Sequence, residues 1–227
     1  MLAQTAAPIT TCWPALIGAV LFLSGCLGSQ ASMKYQAEDK NTSAAQPFRL
    51  NFDSDASGGL PPAAVVFSGN WAIRAEDGAP SPPNALCQTA SAEFPALSLG
   101  EAVLTDLVLS ARFKPISGRS DQAAGLIFRV QDKDNYYILR ANALEGNVNF
   151  YKYAGGRRSN LKDGSAKVSA GQWHELRAEI TGNRLRGFLN GQAVVETTDD
   201  TYQAGKVGLW TRADSTTCFD DFEARAV

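Results

Sequence analysis

Apolar and polar residues alternate with a period of two from Phe48 to the end of the chain, which predicts short β-strands separated by turns. Phe48, Leu50 and Phe52 share one face of the first run. Leu107–Phe113 is rich in strand-forming residues and is expected to end at Lys114-Pro115. Residues 125–130 are short and apolar, as a central strand would be. Asp132–Asn135 predicts a turn into Tyr136–Arg140, and Asn147–Tyr153 alternates again before Gly155-Gly156. In the run from Trp173 to Ile180, His174, Leu176, Ala178 and Ile180 take one face, and Trp173, Glu175, Arg177 and Glu179 the other. Gly182-Asn183 and Asn190-Gly191 are tight-turn signals, the second a strong hairpin signal. Further strands are expected around Cys87, at 184–189, 192–196 and 205–210, and at 218–223, where Asp220-Asp221 between Phe219 and Phe222 breaks the alternation and points to a bulge. No helical period competes and no repeat is evident. Many short strands at this spacing predict an all-β sandwich or barrel.

The first 26 residues have a different character. They contain no Lys, Arg, Asp or Glu, and Ala15–Leu23 is an apolar run about half the length of a membrane-spanning helix. The run ends in Leu23-Ser24-Gly25-Cys26, which resembles a bacterial lipobox, although the usual Lys or Arg near the start of the leader is missing. The resemblance implies cleavage before Cys26 and lipid attachment to it; Leu27 in place of Asp implies the outer membrane in a Gram-negative host. Residues 27–47 are small and polar, as in a flexible tether. The expected organisation is therefore a signal segment at 1–25, a lipidated Cys26 and tether to 47, and one folded domain at 48–227.

Composition narrows the chemistry. Charged residues make up 19% and apolar residues 44%, which excludes a disordered solvating chain. A net charge of -2 argues against a nucleic-acid partner. One His excludes a multi-His zinc site. Of four Cys, Cys12 would leave with the leader and Cys26 would carry lipid, so Cys87 and Cys218 remain as an even pair in an oxidising compartment.

The ordered blocks GLIFRVQDKDNYYILRA, WHELRAEITGNRLRGFLNGQAVVETTD, GKVGLWT and CFDDFEA resemble concanavalin A-like jelly-roll domains, most closely the laminin-G-like and 3-keto-disaccharide-hydrolase types. The resemblance implies a sandwich of two antiparallel sheets. That fold hosts lectins, glycan-binding modules, glycosidases and structural modules, so function must be argued from the site. In such a fold early and late strands are neighbours, which implies a Cys87–Cys218 bridge; two buried thiols are the alternative. A structural calcium near the first and last strands would draw on Asp53, Asp220 and Asp221.

The Glu-x-Asp-x-Glu motif of sandwich glucanases is absent. Glu175 and Glu179 lie ~13 Å apart along a strand, too far for an acid–nucleophile pair. Asp132 and Asp134 read as turn residues and His174 as packed. Sugar binding needs aromatic faces with amides, carboxylates or Arg beside them. Tyr137, Arg140, Asn149, Tyr151, Tyr153 and Arg129 are the candidates, with Tyr136, Lys152, Arg157, Arg158 and Trp210 near them in sequence. The expected function is non-catalytic binding of a glycan or cell-envelope polysaccharide by a monomeric, lipid-anchored module. A glycoside hydrolase and a structural interaction module are the alternatives.

Overall fold

A computed structural model describes residues 47–227. Fifteen strands and their turns make up these residues. In chain order they are β1 (Phe48–Leu50), β2 (Val65–Ser68), β3 (Trp71–Ala75), β4 (Asn84–Gln88) and β5 (Ala96–Leu104). Next come β6 (Leu107–Ser117), β7 (Ala123–Asp132), β8 (Asn135–Asn142), β9 (Asn147–Ala154) and β10 (Arg157–Lys162). The last five are β11 (His174–Thr181), β12 (Arg184–Leu189), β13 (Gln192–Thr198), β14 (Gly205–Trp210) and β15 (Thr216–Ala226).

They form the two antiparallel sheets of a jelly roll. The eight-stranded sheet runs β13-β12-β11-β6-β15-β4-β3, with β1 added against β15; the seven-stranded sheet runs β10-β9-β8-β7-β14-β5-β2. Leu97, Leu109, Phe113, Leu126, Leu139, Phe150, Phe219 and Phe222 are among the buried residues that fill the space between the sheets. The β12–β13 hairpin turns at Asn190 and Gly191 with φ of 50° and 78°, the left-handed pair that a two-residue hairpin requires.

Two strands depart from the sequence pattern. β6 does not end at Pro115 but continues to Ser117. Its pairing with β11 stops at His174↔Phe113, and the Pro115 carbonyl accepts from Gly171 beyond that point. The missing Pro115 N–H therefore faces an open edge and no ladder bond is lost. In β15, the register slips between Asp220 and Glu223, and Asp221 has φ 46°, so the bulge expected there is present.

Candidate functional site

Alternation along β8 and β9 sends side chains to opposite faces of the seven-stranded sheet. Tyr137, Leu139 and Ala141 enter the main core. Tyr136, Ile138 and Tyr151 join Ala123, Ile127 and Trp210 in a second apolar cluster on the outer face. The pairings Arg140↔Asn149, Ile138↔Tyr151 and Tyr136↔Tyr153 put four of the expected residues, Arg140, Asn149, Tyr151 and Tyr153, on that one face. Trp210 lies over Gly125 on the neighbouring β7, where an added Cβ would come within 3.1 Å of the indole.

Three guanidiniums cover this apolar floor. Arg158, opposite Tyr153 in the β9–β10 pair, lies 4.6 Å from the Tyr151 ring centroid and 5.2 Å from that of Phe94. Arg140 sits 5.1 Å from Tyr151, and Arg212 sits 5.5 Å from Phe94. Phe94 itself stacks on Trp210 at 5.8 Å. The Arg-to-ring separations are cation–π distances.

Two carboxylates complete the group. Glu145, in the β8–β9 hairpin, accepts from Arg140 Nη2 at 2.6 Å and from Asn147 at 2.9 Å. Asp121, between β6 and β7, pairs with Arg212 Nε at 2.8 Å and accepts from the Asn142 amide. Burial raises the Asp121 pKa against the pull of Arg140 and Arg212. For Glu145 burial also opposes ionisation, but hydrogen bonds from Asn147 and Arg140 prevail and hold its pKa below the ordinary value. The loop presenting Asp121 is fixed by Asp214, whose carboxylate accepts the backbone N–H groups of Arg119, Ser120 and Asp121. The turn is open only to glycine at 118, where an added Cβ would lie 1.8 Å from the Asp121 carbonyl.

Asn149 is on the right face but is already engaged. Its amide donates to the Tyr151 hydroxyl, and its Oδ1 accepts from Gly164 N–H. It therefore positions Tyr151. Two other expected ligand-binding residues lie elsewhere. Tyr137 points into the core, stacks on Phe128, and donates to Asp199; burial and that bond push its pKa up to about 12. Neighbouring residues on a strand must face opposite ways, so Tyr136 on the outer face sends Tyr137 inward. Arg129 has φ 49° at a bulge in β7 and turns to the end of the sandwich, where it donates to backbone carbonyls and faces the Asp106 carboxylate.

Cys87 and Cys218 form a disulfide directly across the β4–β15 pair. Asp220 is fully buried, and its two oxygens accept the N–H groups of Ser81 and Asp221. Burial pushes its pKa up to about 6 and raises that of Asp221 as well. Asp53 accepts from Asn51 and Ser81 through Oδ2, while Oδ1 is enclosed without a partner. Among the described residues, three metal-ligating side chains share one 4.8 Å neighbourhood only at Glu76, Cys87 and Cys218, and there both sulfurs are already bonded. The carboxylates of Asp53, Asp220 and Asp221 do not all lie within 4.8 Å of one another. Cys26 lies outside the described residues.

Sequence reasoning did not find Phe94, Asp121, Glu145 or Arg212. All four are in connections between strands, where no period marks a face. Glu145 alone had a signal, since it lies in the hairpin joining the two strands that carry the candidates.

Residues 52–225 match the model of the 3-keto-alpha-glucoside-1,2-lyase-like domain. A levanase from Bacillus subtilis (strain 168) is 28% identical over 94 residues, which cover 40% of this chain and 14% of the levanase. The chain thus spans a small part of that relative's length. Among solved structures, carbohydrate-binding module CBM66 from Bacillus subtilis aligns with TM-score 0.63 and 20% identity, over 75% of this chain and 97% of the module. A Bacillus licheniformis β-glucanase aligns with TM-score 0.53 and 13% identity, over 80% and 98% of the two chains. At these identities the structural likeness is one of fold.

Proposed function

Because the chain belongs to the 3-keto-alpha-glucoside-1,2-lyase-like domain family, we propose that the outer face of its seven-stranded sheet binds carbohydrate and that lipid on Cys26 holds the module at the cell envelope. The observation that carries the binding reading is the group of Arg140, Arg158 and Arg212 around the Tyr151 and Phe94 rings, with Asp121 and Glu145 beside them. Pyranose and furanose rings offer apolar faces to aromatic rings and hydroxyls to charged groups; here Tyr151, Arg140 and Asp121 form a buried base, and Phe94, Arg158, Arg212 and Glu145 are the part a sugar would reach. The levanase and CBM66 likenesses support the same reading.

Non-catalytic binding is favoured because each carboxylate of the group is held in an ion pair, Glu145 at 2.6 Å and Asp121 at 2.8 Å. One observation supports the hydrolytic alternative: the Asp121 pKa is raised and the Glu145 pKa lowered, the divergence that separates an acid from a base. A single assay addresses both readings. Phe94→Ala is expected to weaken binding to levan or another glycan on a neutral and acidic panel about tenfold, with the far-UV spectrum unchanged. Affinity equal to that of the parent protein would refute the assignment of this face. Turnover of 3-keto-glucosides by the same preparation would replace the non-catalytic reading with the hydrolytic one.

The anchor is supported by the Cys87–Cys218 disulfide, which suits an exported protein. Full-length protein produced in a bacterial host should partition into detergent and carry acyl chains on Cys26 by mass spectrometry. Cys26→Ser should return it to the aqueous phase; aqueous partitioning of the parent protein would defeat this part of the proposal.

A further inference from the structure

We propose that the ligand of this surface is an acidic glycan, one whose sugars bear carboxylates, and that Arg158 is the residue that pairs with them. The inference rests on the carbohydrate reading above and names the class of sugar. Three guanidiniums face two carboxylates in the site, so one positive charge is left over. Arg212 is paired with Asp121 and Arg140 with Glu145. Arg158 makes no ion pair among the described residues, and its Nη1 is enclosed without any acceptor. Leaving a desolvated polar group without a partner is costly, and more so for a charged one.

The surroundings of Arg158 select the shape of the missing partner. The rings of Tyr151, Phe94 and Trp210 lie 4.6, 5.2 and 5.9 Å from its guanidinium carbon. With rings against the flat group and Nη1 enclosed, the Nε–Nη2 edge is left as the recognition element, and such an edge matches a carboxylate through two parallel hydrogen bonds. Burial and the neighbouring Arg212 both lower the Arg158 pKa, and an incoming anion would favour its charged form. A neighbouring depression of about 210 Å³, lined by Phe94 and Tyr153 but not by Arg158, carries Glu93 and the Lys133–Asp134 pair, which leaves it net negative. Sugar carboxylates are therefore expected at the Arg158 end of the face.

The test compares polygalacturonate with its methyl ester, which keeps the chain and hydroxyls but removes the charge; alginate, hyaluronan and levan extend the panel. Calorimetry and affinity electrophoresis should show the free acid bound at least about tenfold more tightly than the ester at low salt, with the difference shrinking as ionic strength rises. Arg158→Gln should abolish the difference, so that acid and ester bind this variant equally, whatever affinity for the ester it retains. Arg158→Lys should retain part of it, because it keeps the charge and loses the fork. Melting curves for both variants establish that each is folded. Equal binding of acid and ester, or a preference that survives Arg158→Gln, would overturn the inference. Binding to levan without any gain from charge would overturn it and leave the carbohydrate reading standing. Failure to bind any glycan on the panel, acidic or neutral, would remove both.

Discussion

Arg129→Ala is expected to cost roughly 3–5 kcal/mol of folding stability while glycan affinity per folded molecule stays unchanged. The side chain is only 1% exposed. Its Nη1 donates to the Tyr202 carbonyl at 2.9 Å, its Nη2 to those of Gly182 and Thr105 at 2.7 and 3.0 Å, and its Nε again to Thr105 at 3.2 Å. Those carbonyls come from three separate connections, β5–β6, β11–β12 and β13–β14. Asp106, 3.6 Å away, balances the charge and also accepts the Gly182 N–H. Truncation leaves three partly enclosed carbonyls without donors, a carboxylate without its cation, and a cavity where the guanidinium stood. Lysine should recover little, since one ammonium does not span three carbonyls. Urea unfolding measures the loss. A change below about 1 kcal/mol would mean that water replaces the guanidinium at little cost.

The second large effect concerns the disulfide. Serine at both Cys87 and Cys218 is expected to remove about 4–5 kcal/mol, because the bridge closes a loop of 131 residues in the unfolded chain. The local structure adds to the expectation. β4 is joined to β15 by three register pairs only, at Gln88, Cys87 and Leu86, and β3 is attached to the sheet through β4 alone. Without the bond, the β3–β4 hairpin should exchange its amide hydrogens well before the rest of the sandwich. Thermal unfolding with and without reductant, alongside the double variant, checks this. Identical melting temperatures would show that the ladder alone holds the edge.

Much of the fold was legible because most strands have one wet face and one dry face. β11 alternates without error, and the Asn190-Gly191 turn and the Asp220-Asp221 bulge each left a local signature. The missed strands have physical reasons. β10 is Arg-Arg-Ser-Asn-Leu-Lys, a polar edge whose ladder bonds carry no hydrophobic pattern. β5 begins with five consecutive buried residues, Ala96–Gly100, so its two faces do not differ there. The same double burial explains the error at Tyr137. When an outer face has its own apolar cluster, alternation assigns neighbours to opposite sides without saying which side is the core. Arg129 was misread because a bulge changes the direction of a side chain without changing the sequence pattern. The charged partners Asp121, Glu145 and Arg212 became visible only once the strands were folded together.

The contacts of Asp214 have a mechanical consequence. Arg212 reaches from the β14–β15 connection to Asp121, while Asp214, two residues further on, grips the backbone that carries Asp121. Each connection thus holds the other, and the two behave as one rigid jaw at the rim of the sheet. A ligand that displaces either side must carry the opposite side with it, so a length change in one connection would need a matching change in the other.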